Sequence, residues 1–286
     1  MAAATGTQGS RMSAGLGTRL RTGLSRTVEA LAPAPDAAAA ARAALALQAR
    51  GMAATLSYFP AWDGEPEGII AAGEALSAAL GEGAPGTCLA IKASPLHFDK
   101  DLLRAVASPA ASAGMTVVFD ALTHVQAGPT LDLVEWMAQA YGASGAALPV
   151  RWRRSLADAE RLRETPVRLR LVKGEWLDPE GDAGEPGQAY LNLVRMLAGR
   201  KAPVGVATHD PALARAALEI LKPSGTPCEL EQLRGLPMKR STAVAARLGV
   251  PVRLYWPFGP GWWPYAAEKL IERPYLPKWW VADRLG

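Results

Sequence analysis

The chain has 286 residues and a hydrophobic share of 49%, a length that admits one large α/β domain and a composition that excludes an intrinsically disordered polypeptide. Its net charge of +4 comes from 31 basic and 27 acidic residues interspersed along the chain, and the absence of a basic stripe with stacking aromatics argues against a nucleic-acid partner. Uncharged stretches such as Ala105–Phe119 fall short of the roughly 18–20 apolar residues of a membrane span.

The first 28 residues carry Arg11, Arg19, Arg21 and Arg26, contain no acid, and are rich in Ala, Gly, Ser and Thr. That pattern overlaps with an organelle transit peptide, but a disordered leader over residues 1–35 is the simpler reading, with a single domain over 36–286. An extra helix over Asp36–Arg50 opens that domain. Eight β-rich runs follow: Ala54–Tyr58, Thr87–Lys92, Thr116–Asp120, Gly145–Val150, Val167–Val172, Val204–Ala207, Thr226–Leu230 and Val252–Trp256. Helical periodicity occupies the intervals, at Glu67–Leu80, Leu131–Tyr141, Leu156–Arg163, Ala189–Leu197, Pro211–Leu221 and Thr242–Leu248. Strands alternating with helices predict parallel βα units, and eight of them predict an α/β fold of the (β/α)8 TIM-like barrel type. Cys88 and Cys228 sit in apolar strand-like runs as buried thiols, which fits a reducing, cytoplasmic compartment.

Polar side chains gather at or just beyond the predicted strand ends: Lys92, Asp120, Arg151, Lys173, His209, Glu229 and Tyr255. In such a barrel those ends form the rim where active sites are built, so the arrangement predicts a charged pocket there. Any one of these residues could be a solvated loop charge; so many strands ending this way weakens that explanation for the set. The glycine-rich Gly81–Gly86 lacks a phosphate-loop lysine and reads as a turn. His124 and His209 have no ligand spacing, so no metal site is expected.

The later half carries four motifs in order. Arg170-Leu171-Val172-Lys173-Gly174 ends the fifth run, Ala207-Thr208-His209-Asp210 the sixth, Glu229-Leu230-Glu231-Gln232-Leu233-Arg234-Gly235 lies at the seventh, and Val252-Arg253-Leu254-Tyr255-Trp256-Pro257-Phe258-Gly259 with Trp263-Pro264-Tyr265 closes the eighth. Each resembles the corresponding segment of the proline dehydrogenase family, and Lys92 and Asp120 match that family's lysine and aspartate more loosely. The resemblance implies an FAD-dependent oxidoreductase in which Arg170, Val172, Lys173, Thr208, His209 and Glu229 bind the cofactor. It places Lys92, Asp120, Tyr255 and Tyr265 at the substrate, with Asp120 and Lys92 as an ion pair at the mouth of the barrel. The implied reaction moves a hydride from a carbon beside an amine nitrogen to the flavin, with a quinone as electron acceptor and at most peripheral membrane contact. The Tyr275–Trp280 segment is a candidate for that contact, although paired tryptophans capping the barrel explain it more simply.

The chain departs from the family where a substrate carboxylate would be held. Two arginines three and four residues after the closing tyrosine are replaced by Glu268 and Lys269. Lysine lacks the planar fork of arginine, and Glu268 would repel a carboxylate. Leu122, Pro149 and the Glu175-Trp176 pair also depart from the family pattern. Three readings follow: L-proline with its carboxylate on Arg151 or Arg153, another secondary or cyclic amine whose ammonium pairs with Glu268, or a non-redox barrel that binds a small ligand or flavin without turnover.

Overall fold

The computed structural model describes residues 34–61, 64–266, 278 and 281. Eight parallel strands, β1 (Ala53–Tyr58), β2 (Cys88–Ile91), β3 (Thr116–Phe119), β4 (Gly145–Pro149), β5 (Arg168–Val172), β6 (Val204–Ala207), β7 (Cys228–Leu233) and β8 (Val252–Phe258), pair in sequence order. β8 returns to β1, with Thr55 opposite Tyr255 and Ser57 opposite Pro257, and closes the barrel. The predicted (β/α)8 architecture is the one observed. All eight strands agree with the sequence reading to within about one turn at their ends, a usual margin for such boundaries. The largest shift is in β7, which starts at Cys228 and runs on to Leu233 rather than ending at Leu230.

The helices are α1 (Ala37–Gln48), α2 (Pro66–Leu80), α3 (Lys100–Ser112), α4 (Ala127–Tyr141), α5 (Ser155–Leu162), α6 (Pro186–Leu197), α7 (Pro211–Leu221) and α8 (Lys239–Leu248). Their starts have local causes. Asp36, Asp99, Glu185 and Asp210 each accept a backbone N–H of the first turn, and proline occupies the first turn of α2, α6 and α7, where its missing N–H costs nothing. α3 is missing from the sequence reading because Pro109 lies within it, three residues before its end. α1 is the extra helix. Its alanine face, Ala40, Ala41 and Ala44, allows close approach to α2, β1 and β8, so that it covers the barrel wall where the last and first strands meet.

Strand alternation sorts the side chains into two populations. Outward-facing residues such as Leu56, Leu89, Leu169, Leu171, Val204 and Val206 are wholly or almost wholly buried between sheet and helices, and they form the main hydrophobic core. Burying each such aliphatic side chain stabilises the fold by roughly 2 kcal/mol. Inward-facing residues make a second, smaller apolar cluster of Cys88, Ala90 and Val118 against Tyr255, and include a set of buried charged side chains. Cys88 is buried as expected, whereas Cys228 is only partly so.

The N-terminal end of the barrel is held by Arg200, which is only 2% exposed. Its guanidinium donates to the carbonyls of Leu162, Arg163, Thr165, Val167, Ala202 and Pro203 at 2.8–3.5 Å, so it gathers the end of α5 and the start of β5. Burial lowers its pKa to about 10, with Glu164 opposing that shift only weakly. Arg200→Ala leaves several buried carbonyls without donors. It is expected to lower unfolding free energy by about 3 kcal/mol or more, read from the urea midpoint at unchanged m-value.

Candidate active site

The site starts from four inward-facing positions near the C-terminal end of the barrel. Asp120 directly follows β3, where its backbone N–H continues the ladder to Ile91 at 2.9 Å, and its side chain is 9% exposed. One carboxylate oxygen accepts from Arg170 Nη2 at 2.6 Å. The other accepts from the Tyr255 hydroxyl at 2.7 Å and Ser57 Oγ at 3.3 Å, with Lys92 Nζ at 3.5 Å. The Lys92–Asp120 pair expected from sequence is therefore present, but Arg170 and Tyr255 hold Asp120 more closely than Lys92 does.

Arg170, in the middle of β5, lies between two carboxylates. Nη2 faces Asp120, and Nη1 donates to Glu231 Oε1 at 3.1 Å. Its guanidinium lies 4.7 Å from the centroid of the Tyr255 ring, and its Nε is buried without an acceptor. Lys92 Nζ sits 3.9 Å from the centre of the Phe59 ring, and Phe59 in turn packs on Tyr265 with ring centroids 5.1 Å apart. The Tyr265 hydroxyl donates to Glu175 at 3.3 Å. A continuous wall thus runs from Glu175 and Tyr265 at the rim, through Phe59 and Lys92, to Asp120, Tyr255 and Arg170 within.

The protonation states follow from that packing. Burial pushes the Asp120 carboxyl upward, but Arg170, Lys92 and the Tyr255 hydroxyl outweigh it and hold the group below the ordinary carboxylate range. For Arg170, burial opposes the charge, and Glu231 and Asp120 more than restore it. Tyr255 is raised well above its ordinary value, first by burial and then by the Asp120 carboxylate, so it stays a neutral hydrogen-bond donor.

Other sequence-predicted residues are placed differently. Glu229 is the second residue of β7, not the end of a strand, and its carboxylate is bound by Arg168 and Arg253 towards the N-terminal end of the barrel, where Arg253 also reaches the carbonyls of Ala54 and Gly86. The predicted strand ended three residues early, which put Glu229 at the rim by mistake. Val172 is the last residue of β5 and half-buried, and its carbonyl accepts from the Val150 N–H at 2.8 Å. Lys173 follows it and is exposed. The Thr208 hydroxyl accepts from the Asp210 N–H at 3.2 Å, and its carbonyl accepts from Gln232 at 2.5 Å.

His209 accepts the Leu233 N–H on Nε2 at 3.0 Å. Nδ1 must then carry the proton it donates to the Pro237 carbonyl at 2.7 Å. Both ring nitrogens are engaged by backbone, so His209 fastens the loop after β7 to the end of β6. Arg151 grips Asp182 through Nε and Nη2 at 2.7–3.1 Å and also donates to the Gly174 and Glu175 carbonyls. Arg153 Nε is bound to the Gly181 carbonyl at 2.9 Å, and its backbone N–H to Asp178 at 2.7 Å. The Arg151-Trp152-Arg153 run is therefore a clamp on the loop after β5, with both guanidiniums engaged by that loop. Glu268 and Lys269 lie outside the described residues, as does the Tyr275–Trp280 segment apart from an exposed Lys278.

Sequence reading missed Ser57, Phe59, Arg168, Glu231 and Arg253 as parts of the barrel's charged interior and wall. A signal for the charged three was present. Arg168 and Arg170, Glu229 and Glu231, and Arg253 and Tyr255 stand two apart on single strands, so each pair shares the inner face. Gly205, opposite Arg170 on β6, makes the room: a Cβ there would come within 3.1 Å of Arg168 Nη2 and 3.2 Å of Glu231 Oε2.

No family model matches the chain. Among curated proteins it is similar to the proline dehydrogenase of Deinococcus radiodurans, 28% identical over 182 residues (60% of this chain, 58% of that protein). It is also similar to proline dehydrogenase 1 of Bacillus subtilis subsp. natto, 25% identical over 181 residues (60% and 59%). The chain thus matches less than two thirds of the length of these relatives. Among solved structures, it resembles proline utilization A from Bdellovibrio bacteriovorus inactivated by N-propargylglycine, with a TM-score of 0.70 and 19% identity over 83% of this chain and 32% of that one. For proline utilization A from Corynebacterium freiburgense the TM-score is 0.67, with 19% identity over 93% of this chain and 32% of that one. Both structural likenesses establish the barrel.

Asp120 supplies a pH test. Because its folded pKa is depressed, it contributes stability that is fully present above the ordinary value near 3.8 and is lost as pH falls from there through the folded value. Asp120→Asn should flatten that acid limb, removing a slope of up to about 1.4 kcal/mol per pH unit. At neutral pH it should cost about 3–5 kcal/mol, because Arg170 and Lys92 lose their shared counter-charge. Urea unfolding of both proteins between about pH 2.5 and 7 reads both effects, and parallel acid limbs would contradict the assigned protonation.

Proposed function

We propose that the chain is a member of the proline dehydrogenase family, an FAD-dependent dehydrogenase that oxidises L-proline or a related secondary or cyclic amine to an imine. The observation that carries the reading is the array at the barrel mouth, where Asp120 is shared by Arg170, Lys92 and Tyr255 beneath the aromatic wall of Phe59 and Tyr265. Four residues that the family resemblance assigns to one pocket are contributed by four separate elements and meet within it.

The donor set suits a flavin. Arg170 retains a buried N–H without an acceptor, and Lys173 stands exposed at the adjoining strand end. FAD, when bound, would supply the hydride acceptor for the substrate's α-carbon. The chain's own residues do the rest. Arg170, fixed by carboxylates on two sides, presents its remaining N–H and its charge without rearrangement, which suits an acceptor that gains negative charge. Phe59 and Tyr265 exclude water, and a dry wall favours the neutral amine whose lone pair drives loss of hydride. Lys92 is the cation nearest the aromatic wall and is proposed to face the substrate, while Tyr255 remains protonated and holds Asp120 in place. The electron acceptor proposed is a quinone reached by peripheral membrane contact. Among the described residues no helix is long and apolar enough to cross a membrane.

Within the substrate class, one observation favours an amine lacking a carboxylate. The Tyr265 hydroxyl holds Glu175 at the rim, and Arg151 and Arg153 are committed to the loop after β5. The test is reconstitution of the purified chain with FAD, followed by anaerobic mixing with L-proline and, separately, with carboxylate-free cyclic amines such as pyrrolidine. Bleaching of the flavin band by either is expected; a chain that takes up no FAD, or whose flavin neither amine reduces, would reject the dehydrogenase reading. Arg170→Ala should weaken flavin binding or slow reduction by about tenfold or more, equivalent to about 1.4 kcal/mol.

A further inference from the structure

The β1 strand, Ala53-Ala54-Thr55-Leu56-Ser57-Tyr58, turns alternate side chains into the barrel. Ser57 faces inward, since its hydroxyl donates to Asp120, and Thr55, two residues earlier, shares that face. Thr55 is 1% exposed, and its hydroxyl has no hydrogen-bond partner among the described residues. A buried hydroxyl without a partner loses its hydration and gains nothing in return. A second buried polar atom is under-bonded in the same way. Glu231 is 3% exposed, and its Oε1 accepts from Arg170 Nη1 at 3.1 Å. The other oxygen, Oε2, has Arg168 Nη2 at 3.7 Å, which gives Coulombic attraction but is too long for a hydrogen bond.

These two groups face one space. Thr55, Arg168, Arg170 and Glu231 line a cavity of about 10 Å3 inside the barrel, walled on its other sides by apolar residues such as Val118 and Ala147. The sequence explains why it exists. Barrels of this kind normally fill the interior with layers of large aliphatic side chains. Here Ala147 on β4 and Gly205 on β6 flank Arg170, so small residues stand beside charged ones whose positions are dictated by their ion pairs. The resulting space has room for about one water molecule and for no larger solute. A cavity lined by hydrocarbon alone stays dry, whereas a carboxylate oxygen, a hydroxyl and a guanidinium are about the number of polar partners that a buried water engages.

We propose that this cavity is the binding site of a single ordered water molecule, which donates to Glu231 Oε2 and hydrogen-bonds the Thr55 hydroxyl, with the Arg168 guanidinium as its third partner. Glu231 disfavours an anion at this position, and the two guanidiniums disfavour a metal cation. The water ties β1 to β5 and β7 across the barrel interior. It completes the hydrogen bonding of Glu231, the carboxylate that holds Arg170 on the side away from Asp120. Thr55 thereby helps to fix the Arg170 guanidinium through the water and Glu231. Every protein partner belongs to this chain, so the site does not rest on the flavin reading.

The sign of a stability change tests the proposal. Thr55→Val keeps the side chain's shape and replaces the hydroxyl by a methyl group. In a dry cavity that exchange removes an unpaired buried hydroxyl and raises the urea midpoint or leaves it unchanged. With the water bound, it removes one of the water's partners, and the midpoint should fall at unchanged m-value. Thr55→Ser, which retains a hydroxyl, should keep the water. Magnetic relaxation dispersion of water oxygen, measured on the full chain, counts long-lived internal waters directly. Thr55→Val should hold one fewer than the unaltered chain, and Thr55→Ser the same number. A crystal structure of the unaltered chain at high resolution should show one water within about 3 Å of both Thr55 Oγ1 and Glu231 Oε2. A urea midpoint that rises or stays unchanged in Thr55→Val, an unchanged count of long-lived waters, or a crystal structure with no water between these atoms would overturn the proposal. If Thr55→Val does not fold, the crystal structure of the unaltered chain decides.

Discussion

The structure depends on how charge is accommodated inside a closed barrel. Four cations, Lys92, Arg168, Arg170 and Arg253, and three carboxylates, Asp120, Glu229 and Glu231, project from five strands or strand ends into a space that a barrel of this size usually fills with aliphatic layers. Burying one such charge unpaired is prohibitive, and even a good pair returns little more than its desolvation cost. The arrangement persists because each carboxylate serves at least two cations. Glu229 bridges Arg168 and Arg253, Glu231 bridges Arg168 and Arg170, and Asp120 bridges Arg170 and Lys92. The result is an alternating chain of charge from Arg253, towards the N-terminal end of the barrel, to Lys92 at its mouth, in which every group between these two ends is set by two neighbours of opposite charge.

The rim follows a different logic. Its arginines do not project into the mouth; they tie loops to one another. Arg151 and Arg153 secure the loop after β5, and the Trp152 indole reinforces them by donating to the Trp176 carbonyl at 2.9 Å. His209 performs the equivalent task between β6 and β7 through the backbone groups of Leu233 and Pro237. A histidine used in this way resembles a ligand-binding histidine in sequence, because what distinguishes them is the partner on each ring nitrogen, and both partners here, at the end of β7 and in the loop after it, lie more than twenty residues away.

The legible part of the sequence was the part governed by local periodicity. Eight β-rich runs separated by helical intervals specify parallel βα units wherever they pair, so the barrel and its extra helix followed from pattern alone. Asp120 and Lys92 were legible as a pair because each ends a strand and neighbouring strand ends meet at one rim. Glu229 was misplaced because Thr226 and Pro227 were read as strand when they precede it, which shifted the strand by about two residues towards its N-terminus and put its second residue at the wrong end of the barrel. The partner of Arg151 was not legible, because Asp182 lies 31 residues away in a segment without regular structure. Strand alternation carried the remaining information: once Arg170 is taken to face inward, Arg168 must do the same, and the carboxylates on β7 become necessary as their counter-charges.

The same constraint bears on what the mouth is suited to do. Arg170 is held by Asp120 on one side and Glu231 on the other, with the Tyr255 ring against its face, so its freedom to turn towards a ligand is small. An arginine so fixed makes a poor clasp for a carboxylate, since both ends of its fork are already in use; it makes a good fixed charge, since nothing has to move when a partner arrives. Lys92 differs in having Asp120 as its only carboxylate partner among the described residues, at the long distance of 3.5 Å, and an aromatic face as its other contact. A division of labour follows from these distances alone: the guanidinium deeper in the barrel is built to polarise, and the ammonium nearer the rim retains the freedom to engage a substrate.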